Sequence, residues 1–427
     1  MSTLKAVRGT RDLLPPETAL WNRIEATARS VFARYNFGEI RTPIFEDTGL
    51  FARSVGEETD IVSKEMYTWE DRARAQSEKT QSLTLRPENT AGVVRAYIEH
   101  KLGETGQLQK LYYIGPQFRR ERPQRGRYRQ FSQIGAEIIG PPSAGSESAL
   151  RDAEILEMLA TLLDELGITG WKLEINSVGS AADRARYNET LREALIPLAP
   201  RMCVDCQRRA VTNPLRVLDC KVPEDQPIID ALPKIADSLD PESIKHFAQV
   251  TAALDASDVP YTRNHRLVRG LDYYTRTTFE FTHGGLGAQN ALLGGGRYDG
   301  LSEAIGGPRA PGIGFAMGED RLVLTLQAIE STSLQRVDAY IAPLGDTLNP
   351  AALALARELR RGGLSVELGE GTFRLKKSLE AADKVARRIV ILGEDELQSG
   401  ILTVKDFSTG IQTKVPRPDL ITILKRS

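Results

Sequence analysis

The stretch Phe118–Glu137 reads FRRERPQRGRYRQFSQIGAE and carries six arginines in the eleven residues from Arg119 to Arg129. Apolar alternation flanks the run on both sides. Before it, Tyr112, Ile114 and Phe118 alternate with Tyr113, Gln117 and Arg119; after it, Ile134, Ala136 and Ile138 alternate with Gln133, Gly135 and Glu137. Successive side chains of a strand point to opposite faces. With the apolar set toward the core, Arg119, Gln133 and Glu137 fall on the other face. Pro123 and Gly126 are turn formers. The stretch therefore reads as a β-hairpin with an arginine-rich loop and a polar floor of cation, amide and carboxylate. Arginine offers a planar fork of donors that suits phosphate and carboxylate, and it stacks on flat rings. The hairpin thus points to a polyphosphate, a nucleic acid or both. The plain alternative is a solvated charged loop. Two features count against that: the charges are nearly all arginine, and the adjoining strand has a selective polar face.

The chain has 427 residues, 41% hydrophobic and 26% charged, as in ordinary soluble globular proteins of about three domains. No apolar run approaches the roughly 20 residues that span a bilayer, and residues 1–20 lack the apolar core of a secretory signal. The net charge is −1, so any nucleic-acid binding must use local patches. Cys203, Cys206 and Cys220 are the three cysteines, too few and too clustered for a disulfide framework. A cytoplasmic protein with reduced thiols is expected. Cys203-x-x-Cys206 and Cys220 are zinc-ligand types, but structural zinc sites need four ligands. There is no fourth cysteine and His246 is distant in sequence, so no zinc is expected.

Apolar residues at helical spacing predict a helix from Glu17 to about Tyr35, ended by Asn36 and Gly38. Glu39–Phe45 reads as a strand, and Pro43 confines it to an edge or a subunit boundary. TWEDR and Leu83–Arg86 read as strands around a polar tip, 73–82. Pro87 opens a helix in which Glu88 and Asn89 suit the positive end, with capping the expected role of Asn89. Glu88 and Thr90 could also receive an ammonium group. Ser146 is expected to cap a helix running to Leu166, and Trp171–Val178 is a strand. Residues 181–259 shift to short helices, a candidate insertion.

Two further stretches are loaded. In LVRGLDYYTRTTFEF, Arg269 precedes a turn, and Tyr273 and Tyr274 enter an alternating strand. In ALLGGGRYDGL, Gly294–Gly296 allow close backbone approach. PGIGFAMGEDRL then thins a strand with glycines before a helix that carries Arg321 in its first turn and Leu322, Leu326 and Ile329 on its apolar face. The spacing fits neither a P-loop nor a dinucleotide fingerprint. After a linker at 331–336, residues 337–427 alternate strand and helix, a small α/β domain of mostly parallel strands with basic helices.

Taken together these stretches resemble the histidyl-tRNA synthetase family of class II aminoacyl-tRNA synthetases, over nearly the whole length. The strand with Pro43 is similar to motif 1, FRRERPQRGRYRQF to motif 2 and GIGFAMGEDRL to motif 3; LVRGLDYYT and ALLGGGRYDGL resemble the two histidine signatures. The resemblance implies an α+β fold: a class II catalytic core (an antiparallel sheet flanked by helices) at 1–178 and 261–330, a mainly helical insertion at 179–260, and an α/β anticodon-binding domain at 337–427. It implies ATP as a substrate, with Mg2+, and L-histidine and histidine tRNA as partners of a homodimer with no membrane association. It assigns Arg119, Arg127 and Arg321 to ATP, with Arg119, Gln133 and Arg269 at the reacting centre. Glu88, Asn89 and Thr90 are assigned to the histidine amino group, and Glu137, Tyr273 and Tyr274 to the imidazole. Asn89 stands where many members have glycine, and Ser132 where some have histidine. Two alternatives stay open: a regulatory paralogue that partners ATP phosphoribosyltransferase without charging tRNA, and a non-catalytic RNA-binding module.

Overall fold

In the computed structural model, which describes residues 4–56, 59, 61–71, 81–124, 126–268, 273–286, 290–329 and 336–425, the arginine-rich stretch joins two ten-residue strands. The chain divides into two units, Met1–Ser331 and Thr332–Ser427. Strands of the first unit are β1 (Gly38–Glu39), β2 (Phe45–Asp47), β3 (Tyr67–Asp71), β4 (Gln81–Leu85), β5 (Gln109–Phe118), β6 (Gln130–Ile139), β7 (Lys172–Ser177), β8 (Thr262–Arg263), β9 (Thr275–Thr282), β10 (Ala291–Arg297) and β11 (Gly312–Gly318). Eight of them form one sheet in the order β1-β5-β6-β11-β10-β9-β7-β8, antiparallel except at its two edges. The strands β2, β4 and β3 form a separate small sheet.

One face of the large sheet is apolar and carries the helices. Helix Glu17–Arg34 buries Trp21, Ile24, Ala28, Val31 and Phe32. They pack with Ile134, Ala136 and Ile138 of β6, with helix Ala149–Glu165 and with Leu322 and Leu326 of helix Glu319–Ile329. The Phe32 ring lies 4.9 Å from Tyr112 and 6.3 Å from Phe315. Each such fully buried side chain contributes about 1.5–3 kcal/mol. Ile329 falls outside this core and is exposed. The opposite face carries Gln133 and Glu137 beneath helix Thr90–Glu99. A further apolar cluster, from Val178 to Ile235, belongs to the short helices, whereas helix Pro241–Ala256 gives Val250 and Leu254 to the main core.

Several local expectations are corrected. The strand expected over Glu39–Phe45 is broken: β1 ends at Glu39 and β2 starts at Phe45 in the other sheet. Pro43 has no N–H to offer a ladder, so the chain leaves one sheet for the other around it. The cap of helix Ala149–Glu165 is Ser148, which accepts from the Leu150 N–H, not Ser146. Tyr273 and Tyr274 precede β9 rather than enter it. The tip at 73–80 lies outside the described residues.

In the second unit, β12 (Val337–Pro343), β13 (Val366–Leu368), β14 (Ala386–Leu392), β15 (Ile401–Asp406) and β16 (Gln412–Pro416) form a sheet in the order β13-β12-β14-β15-β16. Only the first three are parallel; β15 and β16 pair antiparallel. The sheet is therefore mixed, not mostly parallel. The short return through Gly410, at φ +73°, leaves no room for a crossover. Apolar side chains cover both faces, Ala339 and Ile341 on one and Tyr340 and Ala342 on the other.

Arg297 directly follows the glycine run and is wholly buried. Its guanidinium donates to Asp152 (Nε to Oδ1, 3.1 Å), Asp299 (3.0 Å) and the Ser146 carbonyl (2.8 Å), tying β10 to helix Ala149–Glu165. Removing Asp152 leaves the buried guanidinium with the partly exposed Asp299 as its remaining carboxylate partner among the described residues. Asp152→Ala is expected to destabilise the first unit by about 3–5 kcal/mol in urea unfolding. Adding Arg297→Met should recover most of that loss; a double variant as unstable as the single would refute the pairing.

Candidate active site

The polar floor is built by strand register. Glu137 of β6 lies between Leu111 of β5 and Gly314 of β11, and Gln133 lies between Gly115 and Gly318. A Cβ on Gly314 would overlap the Glu137 carboxylate, so glycine is required for that side chain to lie along the sheet. Glu137 is 1% exposed. It accepts hydrogen bonds from Thr90 Oγ1 (2.8 Å) and from the Tyr298 hydroxyl (2.7 Å). Burial pushes its pKa up to about 8, and the neighbouring Glu88 adds to the rise.

Glu88 caps helix Thr90–Glu99, accepting from the backbone N–H of Thr90 (2.7 Å) and Ala91 (3.0 Å). Burial raises its pKa, against these donors and the more distant Arg119. The expected cap, Asn89, does not cap with its side chain. Its Oδ1 accepts from the Thr42 hydroxyl at 2.6 Å, because the longer Glu88 carboxylate already takes the free N–H groups. Rings complete the chamber: Tyr273 lies 4.8 Å from Tyr274 and 5.9 Å from Tyr298. Burial holds the Tyr113, Tyr273 and Tyr298 hydroxyls protonated. The structure thus brings Glu88, Thr90, Glu137, Tyr273 and Tyr274 together.

Along the same strands opens a cavity of about 380 Å3, lined by Arg119, Arg127, Gln133, Gly294, Arg321 and the carboxylates Glu121, Glu280 and Asp320, among others. Arg119 donates from Nε to the Pro87 carbonyl (2.9 Å), and its guanidinium carbon lies 5.3 Å from the Phe131 ring centre. Arg321 donates to the Ala291 carbonyl at 2.6 Å. Neutral carbonyls orient both guanidiniums, and Glu121 Oε1 lies 3.9 Å from Arg119 Nη1. Arg127 is more exposed and pairs with Glu121 at 3.1 Å. Among the described residues Gln133 Oε1 is buried with no hydrogen-bond partner. Arg269 lies outside the described residues.

Sequence reading missed Tyr298 and Arg216. Tyr298 stands two residues beyond the glycine run and holds Glu137; its place in ALLGGGRYDGL was the available signal. Arg216 comes from the helical segment and lines the cavity, a position with no local signature.

A family model for histidyl-tRNA synthetase matches residues 9–322. The chain belongs to the histidyl-tRNA synthetase family. A model for an anticodon binding domain matches residues 338–427. The histidine–tRNA ligase of Koribacter versatilis is 70% identical over 98% of this chain and 95% of its own length. That of Solibacter usitatus is 55% identical over 98% of both. Among solved structures, the apo histidyl-tRNA synthetase of S. aureus is similar at a TM-score of 0.79 and 37% identity, over 99% of this chain and 100% of that one. These matches establish the α+β synthetase fold and set the chain with the tRNA ligases.

The raised Glu137 carboxyl makes a signed prediction. Its pKa moves from an ordinary 4.5 to about 8 on folding, so the folded state holds the proton more tightly. Below the ordinary value both states are protonated. As pH rises through the interval, stability is lost at on the order of 1.4 kcal/mol per pH unit. In ligand-free protein, Glu137→Gln should gain stability over the parent across this interval and then hold a constant margin. Melting curves whose difference is flat from pH 5 to 9 would refute the shift.

Proposed function

We propose that the chain joins L-histidine to histidine tRNA at this site in two steps. A histidine carboxylate oxygen attacks the α-phosphorus of ATP, the bond to pyrophosphate breaks, and histidyl-adenylate forms. The terminal ribose hydroxyl of the tRNA then attacks the adenylate carbonyl carbon, and AMP leaves. The first step needs no acid–base pair; positioning and charge stabilisation at phosphorus carry it. The observation that carries this reading is the junction of the Glu137 chamber with the arginine-lined cavity in a chain of this family. Charging is favoured over the regulatory role by the match to an anticodon binding domain.

Arg119 is assigned to the α-phosphate, Arg127 and Arg321 to the polyphosphate tail, and Arg269, by resemblance, to charge developing at the α-phosphate. Gln133 lines the cavity and is assigned to the reacting carboxylate, which its amide N–H can bond. Glu88 and Thr90, with Asn89 beside them, are assigned to the α-amino group. Glu137 and Tyr274, with Tyr273 next to them, are assigned to the imidazole. A site that bonds both ring nitrogens rejects apolar analogues strongly. The wall carboxylates Glu121 and Glu280 would hold an Mg2+ that accompanies ATP, which would neutralise phosphate charge.

Residues 1–178 and 261–330 are assigned to the catalytic core, 179–260 to the insertion, and 337–427, beyond the 331–336 linker, to anticodon reading in the cytoplasm. Among the described residues no helix is long and apolar enough to cross a membrane. The test is histidine-dependent exchange of pyrophosphate into ATP, and a pure, folded chain with none would overturn the reading. Truncation after Leu334 should leave exchange largely intact and weaken tRNA charging at least roughly tenfold, since phosphate contacts supply affinity and unstacked bases supply specificity. Unchanged discrimination among anticodon-substituted tRNAs would remove that role from the second unit.

A homodimer through the motif 1 region is supported by large apolar side chains left exposed there: Ile44 at 44%, Phe45 at 53% and Trp69 at 40%. Light scattering is expected to give twice the chain mass, and Phe45→Glu should shift it toward one chain mass. An active monomer at micromolar concentration would exclude the dimer.

A further inference from the structure

The thiols of the helical segment do not stand alone. Cys203 is the N-cap residue of helix Val204–Thr212 and Cys206 lies in its first turn. Cys220 follows the turn after Pro214–Val217, and Asp225 ends the turn Pro223–Asp225. Three sulfurs and one carboxylate oxygen from these segments lie within 4.8 Å of one another. Cys206, Cys220 and Asp225 are buried at 0%, 5% and 1% exposure.

We propose that Cys203, Cys206, Cys220 and Asp225 form a tetrahedral zinc site that clips the helical segment together. The expectation of no zinc rested on a count of three thiols; the fold supplies Asp225 as the fourth ligand. Zinc bonds of about 2.3 Å to sulfur and about 2.0–2.2 Å to a carboxylate oxygen require tetrahedral edges of about 3.8 and 3.5 Å. The observed Cys203–Cys220 sulfur separation is 3.9 Å and the Cys220–Asp225 separation is 3.3 Å. A disulfide, by contrast, needs sulfurs about 2.05 Å apart. Sulfur-rich ligand sets favour zinc over harder cations.

Outer contacts already orient the ligands. The Val222 N–H points at Cys220 Sγ (3.4 Å), and the Cys203 N–H donates to the Asp225 carboxylate at 3.1 Å. Gln226 Nε2 donates to the Cys220 carbonyl (3.0 Å) and the Val222 carbonyl (2.8 Å), bracing the loop between two ligands. Such partners are what a structural site needs to hold its geometry. The apolar cluster of this segment is small, and small cores commonly need a staple. The clip also encloses Arg216, between Cys206 and Cys220, which reaches the arginine-lined cavity. The proposal does not depend on the substrate assignment.

The test uses the full chain, purified with reductant and without chelator or a metal-affinity tag. Elemental analysis is expected to find about one zinc per chain. Cobalt exchanged into the site should give the visible bands of a tetrahedral ion and thiolate charge-transfer absorption. Zinc should shield the thiols from a thiol reagent until a chelator is added. Asp225→Asn keeps the shape and should weaken zinc retention at least roughly tenfold; Asp225→Cys should restore it. A wild-type chain with three freely reactive thiols and no cobalt uptake overturns the proposal, as does a Cys203–Cys220 disulfide in place of metal.

Discussion

Glu137 brings a carboxylate to the middle of an eight-stranded sheet, where water is excluded and two hydroxyls hold it. A buried carboxylate needs space and donors, and both come from elsewhere in the chain. Space comes from Gly314 on the neighbouring strand. Donors come from Thr90, at the start of a helix across the floor, and from Tyr298, beyond the glycine run. Thr90 is in turn set by the Glu88 cap. One buried group therefore fixes the approach of a helix, a glycine on the neighbouring strand and the direction of a tyrosine.

Beside this chamber the chain makes the opposite choice. The cavity arginines are held by carbonyls of Pro87 and Ala291, neutral acceptors that orient them. Those bonds fix the direction of each guanidinium, while Glu121 lies 3.9 Å from Arg119 and 3.1 Å from Arg127 on the cavity wall. Arg297, by contrast, is neutralised by Asp152 and Asp299 and serves the packing of β10. Three arginines close to glycine-rich strands thus do different work, and their acceptors decide which.

The helical segment and the second unit show two ways to stabilise a small body. The second unit buries both faces of a five-stranded sheet with two helices and a C-terminal turn. The helical segment has a smaller core, and its three thiols and one carboxylate converge between Cys203 and Asp225.

Local pattern carried much of this. Period-two alternation separated Gln133 and Glu137 from the apolar set of β6, and helical spacing placed the helix starting at Glu17, because both signals depend only on near neighbours. The glycines of β10 and β11 signalled close approach but not what approached. That Gly314 faces Glu137 is a matter of register between strands about 180 residues apart in the chain, which only the folded sheet sets. Asn89 and Ser146 are cap candidates by residue type, yet Asn89 Oδ1 takes the distant Thr42 hydroxyl, and Ser148 caps in place of Ser146. Sequence likewise counted three thiols, and only the fold brought Asp225 to them. What the sequence by itself determined were the elements, the polar face and the family. What tertiary structure decided were the partners of each buried polar group, because a buried donor or acceptor takes whichever partner the packing leaves nearest.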